Sequence, residues 1–579
     1  MRNPQNPVQE LEKRVLEFER TFYASCLLDS AQLHYGKTLF DSLIHRYLTV
    51  HSQVPKRSFD RIAFTYLEKW KSLRTFHQFS TATFSDSERI GFSKIFIDNY
   101  DRLQKHYKQH FPKDAANEGN STQLENYEPD FPNDVSAFNQ NLLLFLTLQQ
   151  PITVSFLQQS FLNEHEALLD YWIYNDEFYV FIVTADSFLS MHWEVPVQEV
   201  GADAGQLIAA LTKSKNLLEL EFDYALAHRL YHALFEPIQP YIQQYEVILL
   251  IPDGFLTGFP FETLITDTTI TRKIDRNIYY HCYSKFHYLL NRYAFCYNSS
   301  AAEMLPVPSH QFSPSKKSRR LLTMSEPVLW DSIPEAMSLD FKEKLAQSTD
   351  HTSEEIKRLS RLLWHHDNLK MEQTTRDEFL KIGNDYLWLY IALPGLLDNQ
   401  APMNSGILFS RHSVHDSNWC SAREMTGSFL TSDMLTLSHS AVFPTYGIEN
   451  PGLLTLPQSF LFAGVKSVAF SLWEVNSFST SQFMSKFYWE LKYKRQTNVR
   501  ALREAKIASM KDVFEFSDKH ISRAHPYFWA GFELIGNPKI RPPSTTKVPY
   551  WAVIIAVYVI VIVSALIITR RTVPARNES

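Results

Sequence analysis

The feature that most restricts what this chain can become is its last apolar run. Tyr550 to Ile568 reads YWAVIIAVYVIVIVSALII, with no charge and with Ser564 as its one clearly polar residue. A helix rises ~1.5 Å per residue, so about 20 apolar residues cross a hydrocarbon core of ~30 Å and satisfy their backbone groups internally. Tyr550 and Trp551 stand where an interfacial aromatic belt belongs, and Arg570 and Arg571 close the other end. A buried core helix is the competing reading, but a polar tail, 570–579, leaves such a helix nothing to pack into. The sequence therefore predicts one transmembrane helix over 550–569.

Flanking charge leaves the orientation open. Lys539, Arg541 and Lys547 precede the span, and Arg570, Arg571 and Arg576 come after it. The first residues, MRNPQNPVQELEKRVLEFER, are charged and amphipathic rather than signal-like. The simplest expectation is a single-pass cell-membrane protein with its bulk in the cytoplasm.

The remaining chain has room for two or more domains. Its aromatic content of 14% and hydrophobic content of 45% fit a folded core. The net charge is −6, and the only dense basic run is Lys316, Lys317, Arg319 and Arg320, which reads as a solvated loop. Nucleic-acid binding thus has no electrostatic footprint. Cys26, Cys282, Cys296 and Cys420 are scattered without a C-x-x-C pair, which argues against a disulfide framework and a cysteine-based zinc site.

Residues 1–112 carry helical periodicity. Val8, Leu11, Val15, Phe18 and Phe22 share one face; Leu39, Leu43 and Tyr47 share another; Ile62, Tyr66, Trp70 and Leu73 a third. These helices resemble a degenerate helical repeat, too short for a free-standing solenoid, and are expected to dock on the next domain. The polar stretch 113–135 reads as a linker. From 136 to 537, with its core at 240–537, strands and helices alternate, which predicts an α/β domain with a largely parallel sheet. The expected strands are Leu168–Tyr174 and Phe178–Thr184, a hairpin about Asn175-Asp176, then Val247–Ile251, Tyr386–Ala392, Met434–Ser438 and Ser467–Leu472. A loop, Asn298–Ser318, interrupts them, and 538–549 forms a stalk before the membrane.

Three stretches are specific: ILLIPDGFLTGFPFETL from Ile248, LTLSHSAVFPTYGIENPGLLTLPQSFLFAGVKSVAFSLWEV from Leu435, and HPYFWAGFELIGNP from His525. In order and spacing they resemble the CHAT domain family, a caspase- and separase-like peptidase fold, over roughly residues 160–537. The resemblance implies a caspase-like, mostly parallel sheet flanked by helices. It also makes the N-terminal helices similar to the tetratricopeptide-like repeats that often precede this domain in its bacterial setting. The piece FTYLEKWKSLRTF, from Phe64 to Phe76, carries that repeat texture.

The family's catalysis uses a cysteine nucleophile and a histidine base, because an imidazole raises the thiolate fraction and then protonates the leaving amine. The family segment Leu-Ser-Ala-Cys is here Leu437-Ser438-His439-Ser440, so the nucleophile position is Ser440. The segment His-x-Ala-Thr-His-Gly is Tyr390-Ile391-Ala392-Leu393-Pro394-Gly395, which puts Pro394 at the base position and Tyr390 at the earlier histidine. Proline cannot accept a proton. Bulky Val442-Phe443 replaces the small residues that succeed the nucleophile.

A serine needs a base more than a cysteine does. His439 is adjacent, but strand neighbours point to opposite faces. His365 and His366 are remote candidates, expected in an exposed polar loop. His281, Cys282 and His287 match no familiar zinc spacing and read as a structural strand. Asp253 is expected to stabilise a turn and Glu262 to make a buried hydrogen bond, rather than to form a catalytic pair. No glycine-rich phosphate loop is present among the 16 glycines.

These readings predict no metal and no cofactor. They predict a membrane-anchored pseudo-protease that binds a protein or peptide, as a scaffold or regulator of an active protease. The alternative is a serine-dependent hydrolase using Ser440.

Overall fold

The computed structural model describes residues 5–25, 29–55, 58–83, 96–98, 100–102, 105, 149, 151–212, 217, 220–268, 283–305, 319–327, 352–362, 366–396, 401–410, 418–441, 455–473, 475–516 and 519–542. The linker 113–135 and the apolar run Tyr550–Ile568 with Arg570 and Arg571 lie outside them, as do Cys26, His281, Cys282, Lys316, Lys317, His365 and Val442-Phe443. Among the described residues no helix is long and apolar enough to cross a membrane. The chain divides into two units, Met1–Ile540 and Arg541–Ser579, and the strands and helices named here lie in the first.

Three helices open it: α1 (Gln5–Ser25), α2 (Ser30–Gln53) and α3 (Phe59–Thr83). Val15, Phe18 and Phe22 of α1, Leu39, Leu43 and Tyr47 of α2, and Trp70 and Leu73 of α3 are buried, so each periodic apolar face meets its neighbours. Asp29 caps α2 by accepting from the Gln32 N–H while the Gln32 side chain accepts from the Asp29 N–H, a reciprocal capping box.

The next section contains β1 (Glu166–Tyr174), β2 (Glu177–Thr184), β3 (Phe188–Glu194), β4 (Val247–Ile251) and β5 (Ala294–Tyr297), with α4 (Val197–Thr212) and α5 (Tyr224–Leu234) between β3 and β4. These strands build a five-stranded sheet in the order β3-β2-β1-β4-β5. β1 and β2 join through Asn175 and Asp176, both at positive φ (49° and 58°), which gives the tight hairpin the sequence signalled. β1, β4 and β5 run parallel.

A second sheet uses β6 (Arg319–Pro327), β7 (His366–Met371), β8 (Tyr386–Ala392), β12 (Met434–Ala441), β13 (Ser467–Ser471) and β16 (Phe532–Gly536). Its order is β16-β13-β12-β8-β6-β7. All neighbours are parallel except β16, which runs antiparallel to β13. Helices α6 (Thr352–Leu362), α7 (Arg376–Ile382), α8 (Thr455–Phe462), α9 (Ser477–Trp489) and α10 (Asn498–Ser509) connect them. Two smaller sheets complete the fold: β9 (Gly395–Leu396), β10 (Gly406–Leu408) and β11 (Trp419–Ser421), and the ribbon β14 (Val513–Phe516) with β15 (Lys519–Ser522).

One largely parallel sheet was expected; there are a mixed five-stranded sheet, antiparallel at β1-β2 and β2-β3, and a largely parallel six-stranded one, meeting at β5 and β16. Asn298 seals the seam: its Oδ1 accepts from the Gly536 N–H at 2.8 Å. The strands Val247–Ile251 and Tyr386–Ala392 have the expected bounds, and β12 runs three residues further than expected. Arg319 and Arg320 open β6 rather than sit in a loop, and His366 opens β7 rather than an exposed loop. The sequence missed β7, HDNLKM, because an edge strand buries little and carries no apolar alternation.

The N-terminal helices are tied to the first sheet by buried polar contacts. Lys71 of α3 pairs with Asp170 of β1 and donates to the Tyr171 carbonyl at 3.1 Å. Glu68 accepts from the Ala301 N–H at 2.8 Å. Trp172 Nε1 donates to Asp41 of α2 at 3.0 Å, and Lys37 pairs with the other Asp41 oxygen at 2.6 Å. Two carboxylates share the one lysine at Asp170 and Glu68. Burial, and then the Asp170 charge, push the Glu68 carboxyl well above its usual range, so it holds a proton.

Candidate functional site

In a parallel α/β sheet, ligands bind beyond the carboxyl ends of the strands. Here β8 and β12 are adjacent and parallel, with Leu435 opposite Leu389, Thr436 opposite Tyr390 and Leu437 opposite Ile391. Pro394 and Ser440 each come three residues after the last of these pairs, so both positions fall at the same carboxyl edge. Between Thr436 and Ala441 the register of β12 against β13 slips, and such an irregularity locally re-aims a strand.

Pro394 is buried where β8 ends. Lacking an N–H, it suits the break between β8 and β9, and its carbonyl accepts from the Leu408 N–H at 2.9 Å. Ser440 and His439 lie on β12.

The histidine position before Pro394 is Tyr390, on β8. Its hydroxyl donates to the buried Glu355 carboxylate of α6. Burial, and then the Glu355 charge, push the Tyr390 phenol well up, so it stays protonated. Beside it, Thr436 and Tyr488 of α9 share a hydrogen bond of 2.8 Å, and the Tyr390 and Tyr488 rings lie 5.7 Å apart. These contacts fasten α6 and α9 to the sheet and leave Tyr390 committed. Glu355 and Tyr488 carried no signal in the sequence, because their partners are remote in the chain.

The remaining candidates separate. His366 is level with Leu321, Trp388 and Met434 at the start of the strands. Three strand spacings across and six residues along place it more than ~20 Å from the Ser440 position, too far for a base. His525, in the segment before β16, is fully buried against Phe222 and Tyr283, and its Nδ1 accepts from the Tyr527 N–H at 3.1 Å. Burial lowers its pKa to about 3, so it stays neutral.

Asp253 accepts from the Ile173 N–H at 2.9 Å and so pins the end of β1. Glu262 is sealed in the core: it accepts from the Tyr297 hydroxyl and pairs with Lys506 of α10 at 2.7 Å. Glu533, beside them on β16, is pushed well up by burial and then by the Glu262 charge, so it is neutral. Asp253 and Glu262 therefore act as the sequence suggested, as structural carboxylates. His287 lies 3.8 Å from Asp267. Cys296 and Cys420 are free and buried; burial pushes the Cys420 thiol up to about 12 and the Cys296 thiol higher. Neither is a ready nucleophile.

A mostly parallel six-stranded sheet flanked by helices, with Pro394 and Ser440 at the ends of adjacent strands, defines an α/β protein. Residues 224–537, more than half of the chain, match the family model described as "CHAT domain", and the chain belongs to that family. No curated protein matches the chain. Among solved structures, two crystal structures of the Saccharomyces cerevisiae separase–securin complex, at 3.0 and 2.6 Å resolution, are similar to it. Each is 9% identical with a TM-score of 0.38, over 93% of this chain and 40% of the other. The chain thus spans about two fifths of the length of those structures.

Proposed function

We propose that this protein is a catalytically degenerate CHAT-family member held on a membrane, acting as a docking scaffold or regulator for a protein or peptide partner. The observation that carries this reading is the residue pair at the shared edge of β8 and β12: Pro394, which cannot take a proton, and Ser440, which needs a base. Tyr390, held protonated on Glu355, supports it, because the neighbouring family histidine position offers no base either. In this reading the carboxyl edge of β8 and β12 is the surface that would receive an extended peptide. The apolar run Tyr550–Ile568, with Trp551 and Arg570-Arg571 at its ends, is the anchor in this reading.

The test is a capture experiment with the full chain in mild detergent, beside Ser440→Ala. Equal capture of an active protease partner or its peptides by both forms, with no peptide cleavage by either, is the expected result. Peptide cleavage that Ser440→Ala abolishes would overturn it in favour of a serine-dependent hydrolase. Release of the chain from membranes by alkaline carbonate would remove the anchor from the reading.

A further inference from the structure

Away from the strand ends, α5 carries His228 and His232 on one face, a single turn apart, and Glu236 lies one turn later. His228 Nδ1 lies 2.8 Å from the Ile265 carbonyl oxygen. A carbonyl only accepts, so this nitrogen carries the proton. His232 Nδ1 lies 2.5 Å from a Glu236 carboxylate oxygen, which fixes its proton in the same way. In both neutral rings the lone pair is therefore left on Nε2, and the two Nε2 atoms lie 3.0 Å apart on rings tilted 67° to each other.

Two lone pairs at that distance repel unless a cation lies between them. Either a proton or a metal ion can fill this role. Three features favour a metal. Each imidazole has its outer nitrogen held by a carbonyl or a carboxylate, which is how metal-bound histidines are oriented. The pair is reachable, with His232 about half exposed. The spacing also fits: at metal–nitrogen distances of ~2.0–2.1 Å, a 3.0 Å separation subtends roughly 90–97° at the metal. That is the cis angle of a tetragonal or octahedral shell, the preference of Cu2+ and Ni2+. A tetrahedral shell needs the nitrogens about 0.3 Å further apart.

We propose that His228 and His232 form a two-histidine site for a divalent late first-row transition metal of the Cu2+ and Ni2+ class, with Glu236 and the Ile265 carbonyl as orienting partners. Among the described residues no group of three or more His, Cys, Asp or Glu side chains gathers to hold a metal. The other coordination positions are open to water or to a further donor.

The test uses the full chain, prepared without a histidine tag, titrated with Ni2+ alone by calorimetry at pH 7.5. With 21 histidines in the chain, weak binding elsewhere calls for a difference measurement. The parent should take up one more tight equivalent than His232→Gln, and Glu236→Gln should weaken that equivalent about 10–100-fold. One equivalent of Cu2+ on the parent should show two imidazole nitrogens by electron paramagnetic resonance. That readout stands even if a variant folds poorly. Identical titrations of parent and His232→Gln, or a Cu2+ spectrum without paired nitrogens, would overturn the proposal and assign the space between the rings to a proton.

Discussion

Replacing Lys71 by methionine tests what joins the N-terminal helices to the α/β body. The side chain is 2% exposed and its partner Asp170 is 0% exposed. Methionine keeps most of the volume and removes the cation. Asp170 then either stays charged without a counter-ion or takes up a proton. Breaking a buried pair by removing one partner costs about 3–5 kcal/mol. The proton route gives a similar figure: an aspartate that ionises near 3.9 in the unfolded chain must be protonated at pH 7, about 3 pH units at ~1.4 kcal/mol each, or ~4 kcal/mol.

The sign is set by the direction of the shift. A carboxyl whose folded pKa is raised gives its full stability below the unfolded pKa and loses it as pH rises through the folded value. The deficit of Lys71→Met should therefore shrink from ~4 kcal/mol at pH 7 to ~1.5 kcal/mol at pH 5. Urea titrations followed by tryptophan fluorescence, with amide exchange across Phe59–Thr83 and Glu166–Tyr174, would measure it. Adding Asp170→Asn to Lys71→Met should recover much of the loss at pH 7, because no charge is then stranded. A deficit below ~1 kcal/mol at pH 7, or one independent of pH, would refute the assignment of this pair as the fastening point.

Three further outcomes rest on the same geometry. Glu68→Gln keeps an acceptor for the Ala301 N–H without needing a proton, so its thermal midpoint should equal or exceed the parent's at pH 8 and lose the parent's decline as pH rises through the raised Glu68 pKa. Cys420, with its thiol at about 12, should resist iodoacetamide in the native protein at pH 7.5 and react in urea, as peptide mass spectrometry would show. Gly464, at φ +107°, turns the chain from α8 into β13, and a Cβ there would meet the Leu430 carbonyl oxygen at 2.3 Å. Gly464→Ala should destabilise the fold by at least ~1–3 kcal/mol in a urea titration; an unchanged midpoint would contradict the turn geometry.

Legibility in the sequence tracked burial. β4 and β8 were readable because they are continuous apolar runs between turn residues, as strands covered on both faces are. The helices α1 to α3 were readable from their repeating apolar faces. β6 and β7 were not: β6 is buried from Leu321 to Ser325 but opens on two arginines and mixes in polar residues, and β7 is a polar edge strand, so neither reads as a continuous apolar run. The candidate site was readable only as positions. Ser440 and Pro394 stood out because a family motif passes through them, whereas nothing local marked Glu355 as the partner of Tyr390, or Lys506 as the partner of Glu262, 244 residues away.

By itself the sequence determined the apolar run Tyr550–Ile568, the α/β alternation and the residues at the two motif positions, Pro394 and Ser440, since each is a property of neighbouring residues along the chain. Tertiary structure alone decided that the strands divide between two main sheets, that His366 and Ser440 belong to opposite ends of one of them, and that the Nε2 atoms of His228 and His232 come within 3.0 Å of each other. Those facts depend on register and on contacts between segments far apart in the chain, and local periodicity carries no information about which distant backbone will supply a carbonyl or a charge.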